Sequence, residues 1–327
     1  MAGHSESTLS VVAAIVGNLI IAIIKFVAAA LTGSSAMISE GIHSVVDTGN
    51  GALVLLGMNR ARQPADAIHP FGHGKSLYFW TQIVAVSIFG IGGGMSVYEG
   101  ITHILRVTPG ADLGDPTAAY IVLAISLVVE GGSFTIAVRQ FLRAKGETSA
   151  WQFINSSKDP SLYTVVLEDS AAMLGLVFAF LGIFLGHHFN NAYIDGVASV
   201  GIGLLLMSVA WILSSRTKGL LLGEGVNPEE LADIRSIVES DPAIERAGDI
   251  LTMYMGPDDL LVNMGVCFVP GTTAEQMHVA IRRIEADLRA TYPETNRVYI
   301  EAESLPAVAT ADCPERSDIE RDDTRRT

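Results

Sequence analysis

The chain has 327 residues, of which 49% are apolar and only 17% charged, and its mean hydropathy is +0.39. This balance is typical of a membrane-embedded core rather than of a soluble domain alone. The formal net charge of -14 excludes nucleic acid as a partner, because its phosphates would be repelled. Acidic residues crowd the last third of the chain, which predicts two domains in different surroundings.

Six apolar stretches are each long enough to cross a bilayer core, for which about 20 residues are needed. They cover residues 9–31, 36–58, 78–103, 117–143, 161–186 and 193–215. Lysine and arginine flank the loops on one side, whereas the other side has Arg106 and little else, so both termini are predicted to be cytoplasmic. The sequence therefore predicts a multi-pass cell (inner) membrane protein whose residues 1–220 form a six-helix, all-α transmembrane transport domain.

The pattern changes to that of a small cytoplasmic α/β domain over residues 226–304. Asn227-Pro228 predicts a helix start, and Thr272 with Glu275 predicts a capping box before a second helix. Strand-like runs cover residues 250–255, 260–269 and 298–300. The order αββαβ predicts a helical layer on a three-stranded sheet. Residues 305–327 are predicted to be a disordered acidic tail.

Ionisable residues interrupt the second apolar stretch. Glu40, His43 and Asp47 follow i, i+3, i+7 spacing, which places them on one helix face. A charge at the bilayer centre costs about 2.5–3.5 kcal/mol even on the lenient scale, so each needs a partner or a function. His43 and Asp47 can present a nitrogen and an oxygen to one ion, as in zinc sites. The alternative is a buried salt bridge that ties helices together.

The fifth stretch carries Glu168 and Asp169, which point about 100° apart on a helix. At most one of them is expected to share a site comfortably with the second stretch. A tetrahedral site needs about four ligands, of which His43, Asp47 and Asp169 supply three. The fourth remains open between Glu168, Glu40, Asn18 and water.

Three further ionisable residues stand singly in apolar stretches. Glu130 and Asp195 are the kind of single acid that more often pairs helices or lines a pathway than binds a metal. Lys25 in the first stretch is a candidate partner for one of them.

The connection between the second and third stretches contains Asp66, His69 and His73. Pro70 and two glycines predict a loop rather than a helix. Two imidazoles and a carboxylate in so short a segment predict a second metal site. The alternative is that the histidines cap the neighbouring helix.

The motifs "GSSAMISEGIHSVVDTGN" and "QPADAIHPFGHGKS" resemble those of the cation diffusion facilitator family, and "VLEDSAAMLG" resembles the branch of zinc transporter 9. The resemblance implies six transmembrane helices, a cytoplasmic ferredoxin-like domain, a homodimer and metal–proton antiport. It implies a transport site on His43, Asp47 and Asp169 and a loop zinc site on Asp66, His69 and His73. Val165 stands where many members place a further ligand, and Glu168 is the predicted substitute.

The resulting hypothesis is a transporter, not an enzyme, that exports zinc from the cytoplasm in exchange for protons. Zn²⁺ is then the transported ion and also the ion expected in the loop site. Manganese, iron or another divalent metal is the first alternative, because nitrogen and oxygen ligands overlap in preference. A membrane sensor or scaffold, and an acyltransferase with an HxxxD motif, are alternatives from other functional classes.

Overall fold

The structure is a computed structural model that describes residues 3–107 and 113–302, with side chains described from Asn18 onward. The predicted acidic tail, residues 305–327, lies outside the described residues. Within them the chain forms two compact units. The first combines the residues up to Arg62 with Ser76–Lys218, and the second combines Gln63–Lys75 with the residues from Gly219 onward. The loop with the two histidines thus groups with the second unit.

The first unit is built from long helices. In the described residues there are six, the third of which is continuous through a π-helical segment. They are α1 (Gly3–Thr32), α2 (Ser35–Ala61), α3 (Ser76–Ser87) continued by the π-helical Ile88–Gly94 and α4 (Met95–Arg106), α5 (Thr117–Lys145), α7 (Pro160–His188) and α8 (Tyr193–Leu222). A short helix, α6 (Ala150–Ser156), precedes α7 and was not predicted. The long helices coincide with the six apolar stretches, so the six-helix fold is confirmed.

Four of these helices are long and apolar enough to cross a membrane on length and composition alone. They are Ser76–Arg106, Thr117–Lys145, Pro160–His188 and Tyr193–Leu222, and Asn18–Thr32 is a shorter apolar helix. Among the described residues α2 is not one of the four. It carries two buried ionisable residues, Glu40 and His43, together with the partly buried Asp47, and these polar side chains lower its mean hydropathy.

Small residues let α4 and the preceding π-helical segment lie directly against α8. An added Cβ at Gly100 would lie 2.6 Å from the carbonyl oxygen of Gly196, and one at Gly203 would lie 2.7 Å from that of Gly93. Such contacts allow no side chain, as is common where membrane helices cross closely. Gly90, in contrast, has nothing within 4 Å of an added Cβ. Close helix packing therefore requires a glycine at position 93 but not at position 90.

The second unit contains the α/β domain in the predicted order αββαβ. Its elements are α9 (Pro228–Glu239), β1 (Ile244–Gly256), β2 (Asp259–Phe268), α10 (Ala274–Thr291) and β3 (Thr295–Ala302). The sheet order is β1-β2-β3, with β1 antiparallel and β3 parallel to β2. Both helices contribute to the core with the strands, through buried residues such as Ile234, Val238, Val262, Met264, Ile284 and Leu288. The ferredoxin-like fold class is confirmed.

The helix starts of this domain follow from their caps. Asn227 accepts a hydrogen bond from the backbone N–H of Glu230, whose side chain accepts one from the N–H of Asn227, as its sequence predicts. The prediction for α10 was wrong by one residue, because Thr273 and Gln276 form the capping box. The hydroxyl of Thr272 instead donates to the carbonyl of Val269 and closes the preceding turn.

Candidate metal sites

Helix α2 carries a polar stripe of four residues, Glu40, His43, Asp47 and Asn50, at i, i+3, i+7 and i+10 spacing. Glu40, Asn50 and His43 are 0%, 2% and 5% exposed, and Asp47 is partly buried. The Nε2 atom of His43 is buried and has no hydrogen-bond partner among the described residues. Buried polar atoms normally have a partner, so an unpaired imidazole nitrogen is a candidate metal ligand.

Helix α7 meets the stripe through Glu168. The amide of Asn50 donates a 3.1 Å hydrogen bond to Oε1 of Glu168, which is 7% exposed. Asp169 has its hydrogen bond with α5 instead, since the hydroxyl of Ser133 donates to its Oδ2 at 3.3 Å. The expectation that adjacent carboxylates face different neighbours therefore holds, and the one hydrogen-bonded to α2 is Glu168.

The acids of α2, α5 and α7 nevertheless lie within electrostatic reach of one another. Asp47 interacts with the charges of Asp169 and Glu130, and Glu168 with those of Asp47 and Asp169. However, in the described part of the chain His43, Asp47 and Asp169 do not form a group whose donor atoms all lie within 4.8 Å of one another. The predicted transport residues share one region without forming a compact ligand set.

Glu40 is bonded elsewhere. The ammonium group of Lys25 on α1 donates to Oε2 of Glu40 at 2.9 Å, to Ser44 at 2.9 Å and to Oε1 of Glu130 at 2.7 Å. Of the two acids predicted as partners of Lys25, Glu130 and Asp195, it pairs with Glu130, and Glu40 is a second partner that was not predicted. Because Glu40 already forms an ion pair with Lys25, it is a poorer candidate for the fourth metal ligand than Glu168.

Asp195 on α8 caps the helix that carries the polar stripe. Its carboxylate accepts hydrogen bonds from the hydroxyls of Ser34 and Ser35 and from the backbone N–H groups of Ser35 and Ala36, at 2.5–3.4 Å. A carboxylate at a helix N-terminus pairs with unsatisfied N–H groups and with the positive end of the helix dipole. Asp195 is therefore a helix-pairing acid, one of the two roles expected of it.

The loop residues Asp66, His69 and His73 form the only group of three potential metal ligands within 4.8 Å of one another in the described residues. Asp66 Oδ1 lies 3.3 Å from His69 Nδ1, and Asp66 Oδ2 lies 3.1 Å from His73 Nε2. Both rings contact Asp66 rather than a helix end, which favours a metal site over capping. One carboxylate and two imidazoles suit zinc, which commonly takes three protein ligands and leaves a fourth position open.

The backbone N–H of His69 donates to Asp66 and is the main reason that the pKa of this carboxyl is lowered to about 2. Further hydrogen bonds from His73 and from the N–H of Ile68 act in the same direction. The carboxylate is ionised at any ordinary pH and is ready to bind a cation.

This loop rests on the sheet within the second unit. Arg297 of β3 donates to the carbonyl oxygen of Phe71 at 3.2 Å and lies 5.5 Å from the centre of its ring. Gly74 contacts the carbonyl of Met255, where an added Cβ would clash with backbone. Loop and sheet therefore pack against each other, and the loop presents the candidate site at the surface.

Both parts of the chain match known protein families. Residues 11–222 match the cation efflux transmembrane domain, and residues 226–305 match the cytoplasmic domain of cation efflux proteins. The chain belongs to the cation efflux family. The resemblance to cation diffusion facilitators is thereby confirmed.

Individual relatives of this cation efflux protein are named for zinc, for manganese or for cations in general. The mouse protein named "Proton-coupled zinc antiporter SLC30A9, mitochondrial" is 36% identical over 235 residues, which is 71% of this chain but 41% of the mouse protein. The manganese efflux system protein MneP of Bacillus subtilis is 24% identical over 88% of this chain and 92% of its own length. The cation-efflux pump FieF of Escherichia coli is 27% identical, with 78% and 79% covered.

The sequence did not predict two residues that contact the candidate transport site. Asn50 extends the polar stripe by three positions beyond Asp47, a spacing that could have revealed it. Ser133 on α5 gave no comparable signal, because a serine on an apolar helix is unremarkable in sequence. Both donate hydrogen bonds to the paired acids of α7.

Proposed function

We propose that the protein is an antiporter that exports divalent metal ions, zinc foremost, from the cytoplasm in exchange for protons. The observation that carries this proposal is the polar stripe of α2. In it, a buried imidazole nitrogen that has no hydrogen-bond partner within the described part of the chain lies one turn from Asp47. Membrane helices rarely hold ionisable residues without a functional reason. The name of the mouse relative, a proton-coupled zinc antiporter, supports the same function.

In this proposal His43, Asp47 and Asp169 bind the transported ion, and Glu168 supplies the fourth ligand. Asn50 orients Glu168, and Ser133 orients Asp169. Because these ligands bind metal only when deprotonated, protons arriving from the other side displace the ion. Transport then requires α2 and α7 to bring the donor atoms together around the ion and to release them on the opposite side.

The remaining parts of the proposal concern the surroundings of this site. Both termini face the cytoplasm, the protein resides in the cell (inner) membrane, and the cytoplasmic domain joins two copies into a homodimer. Asp66, His69 and His73 hold a resident zinc ion in the loop. The predicted absence of enzymatic activity agrees with relatives that are named as antiporters, efflux systems and pumps.

The decisive test is metal flux in proteoliposomes that contain a metal-sensitive dye. An imposed pH gradient is expected to drive zinc uptake by the wild-type protein, and His43→Ala with Asp47→Ala is expected to abolish it. His188→Ala is the matched control, since His188 is an exposed histidine at the end of α7, outside the polar stripe. Flux that persists in the double variant would refute the proposed site.

Manganese is the second candidate cargo. It is favoured by the three carboxylates of Asp47, Glu168 and Asp169, because oxygen ligands suit manganese, and by the full-length similarity to a manganese efflux protein. Competition between Zn²⁺ and Mn²⁺ in the same vesicles separates the two. A folded wild-type protein that binds metal but carries none would instead favour the membrane sensor.

A further inference from the structure

Lys25 is a fully buried cation in the middle of the helical unit. Its side chain is 0% exposed, and its ammonium group donates to Glu40 on α2, Ser44 on α2 and Glu130 on α5. An ammonium group has three hydrogens, so these three bonds use its full donor capacity. Lys25 therefore joins three helices at a point one turn from His43.

The two carboxylates around Lys25 are only half satisfied. Oε1 of Glu40 and Oε2 of Glu130 are buried and have no hydrogen-bond partner among the described residues. Oε1 of Glu40 occupies the space left by the missing side chain of Gly175 on α7. One ammonium and two carboxylates leave a net negative charge, with two unpaired oxygens, beside the proposed transport site.

We propose that Lys25 determines the metal specificity of this site by acting as a tethered cation. Its ammonium group is hydrogen-bonded to Glu40 and Glu130, and an entering metal ion therefore cannot coordinate these two carboxylates. The proposal rests on the proposed function in that the entering ion is a divalent metal. It identifies Lys25 as a positioning residue, which acts through the two acids and does not itself touch the ion.

The chemical consequence is a choice between ligand types. Carboxylate oxygens suit manganese and magnesium, whereas imidazole suits zinc. With Lys25 in place, the metal meets one imidazole, that of His43, together with the carboxylates of the proposed transport site. The additional carboxylates of Glu40 and Glu130 are closed to it. Without Lys25, the two acids would form an additional site of oxygen ligands within the same helices.

A merely structural role for Lys25 makes a different prediction. Buried ion pairs are often replaceable by apolar side chains without loss of stability, provided that no partner is left unpaired. If Lys25 only ties helices together, its removal changes stability but neither the number of bound ions nor the preference among metals. Metal preference is therefore the measurement that separates the two roles.

The experiment measures Mn²⁺ and Zn²⁺ binding to purified protein in lipid nanodiscs by equilibrium dialysis. Lys25→Met is expected to bind one additional Mn²⁺ ion per chain, or to bind Mn²⁺ at least about tenfold more tightly, the scale on which neighbouring groups tune metal sites. Lys25→Met with Glu40→Gln is expected to lose this gain. Lys25→Arg keeps the charge and is expected to retain the wild-type preference.

Binding that is identical in Lys25→Met and the wild type would overturn the proposal, and so would a gain that persists after Glu40→Gln. Should Lys25→Met unfold in metal-free buffer, its unfolding temperature is measured with and without Mn²⁺. Stabilisation that depends on Glu40 supports the proposal, and its absence overturns it. These binding measurements need no flux, so they remain informative even if wild-type vesicles transport nothing.

Discussion

The side-chain amide of Asn50 donates a 3.1 Å hydrogen bond to Oε1 of Glu168, and this bond joins α2 to α7 one turn beyond Asp47. Both residues are buried, at 2% and 7% exposure. The two helices proposed to carry the metal ligands are therefore linked by a buried polar contact. It fixes one of the two adjacent acids of α7 toward α2.

Removal of this bond is expected to destabilise the protein. Asn50→Leu leaves Oε1 of Glu168 buried without a donor, which should lower the free energy of unfolding by about 1–3 kcal/mol. Thr48→Val is the control, because its hydroxyl donates within its own helix to Ser44 and should cost no more than about 0.5 kcal/mol. Denaturation in mild detergent measures both, and equal losses would argue against a specific role for Asn50.

The close crossing of α4 and α8 predicts a contrast between two glycines. In Gly203→Ala the new methyl group would lie 2.7 Å from the backbone oxygen of Gly93, so the helices must separate, at a cost of about 1–3 kcal/mol. Gly90→Ala has open space and removes glycine's flexibility, so stability should stay level or rise by about 0.5–1 kcal/mol. Thermal unfolding in detergent tests the pair, and a loss in Gly90→Ala as large as in Gly203→Ala would contradict it.

The cap on α2 predicts a graded series at Asp195. Asp195→Ala removes both carboxylate oxygens that accept hydrogen bonds from the start of α2. The free energy of unfolding should fall by about 1–2 kcal/mol. Asp195→Asn keeps an acceptor oxygen and loses the charge, so its cost should be about 0.3–1 kcal/mol. Hydrogen exchange at the start of α2, together with unfolding in detergent, measures which of the two variants loses more stability. Equal effects of the two variants would contradict the series, because Asp195→Asn would then gain nothing from the acceptor oxygen that it keeps.

In the cytoplasmic domain, Arg283 of α10 donates two hydrogen bonds to Asp241, at 2.8 and 2.9 Å. The bonds lower the pKa of the Asp241 carboxyl below its ordinary value. Stability from a lowered carboxyl pKa is present above the unfolded value of about 3.9 and is lost as the pH falls below it. Arg283→Met should therefore lower the free energy of unfolding at pH 7, and only modestly, because Arg283 is half exposed.

The difference between wild type and Arg283→Met should shrink as the pH falls below about 4, where Asp241 becomes protonated. Arg289→Met is the control, because Arg289 forms an i, i+4 pair with Glu285 that should contribute about 0.3–0.5 kcal/mol. Urea unfolding of the cytoplasmic domain, followed in the full-length protein at several pH values, gives both curves. A pH-independent difference would exclude Asp241 as the titrating group.

The helices and the αββαβ order could be predicted because each depends on local signals. Apolar length sets a membrane span, and Asn227-Pro228 with Glu230 sets a helix start whatever lies nearby. The cap of α2 could not be predicted, because its acceptor, Asp195, lies 160 residues from Ser35. It depends on which face α8 turns toward α2, and that is decided by packing.

The same limit applies to the candidate site. The spacing of Glu40, His43 and Asp47 predicted one face, and the structure has them on one buried face. Which of Glu168 and Asp169 faces α2 depends on the rotation of α7, which no local pattern specifies. The choice between a ligand and an ion-pair role for Glu40 likewise depended on the position of Lys25, which lies on another helix.

The polarity of α2 has a consequence for how the chain enters a bilayer. By composition this helix would be a poor candidate for insertion alone, since an unpaired Glu40 would meet hydrocarbon. Its neutralising ammonium lies on the preceding helix, and only Gly33 and Ser34 separate the two. Helices α1 and α2 are thus suited to leave the insertion machinery together as a hairpin, with the lysine and glutamate already matched. The Lys25–Glu40 pair thus bears on membrane insertion as well as on the proposed metal preference.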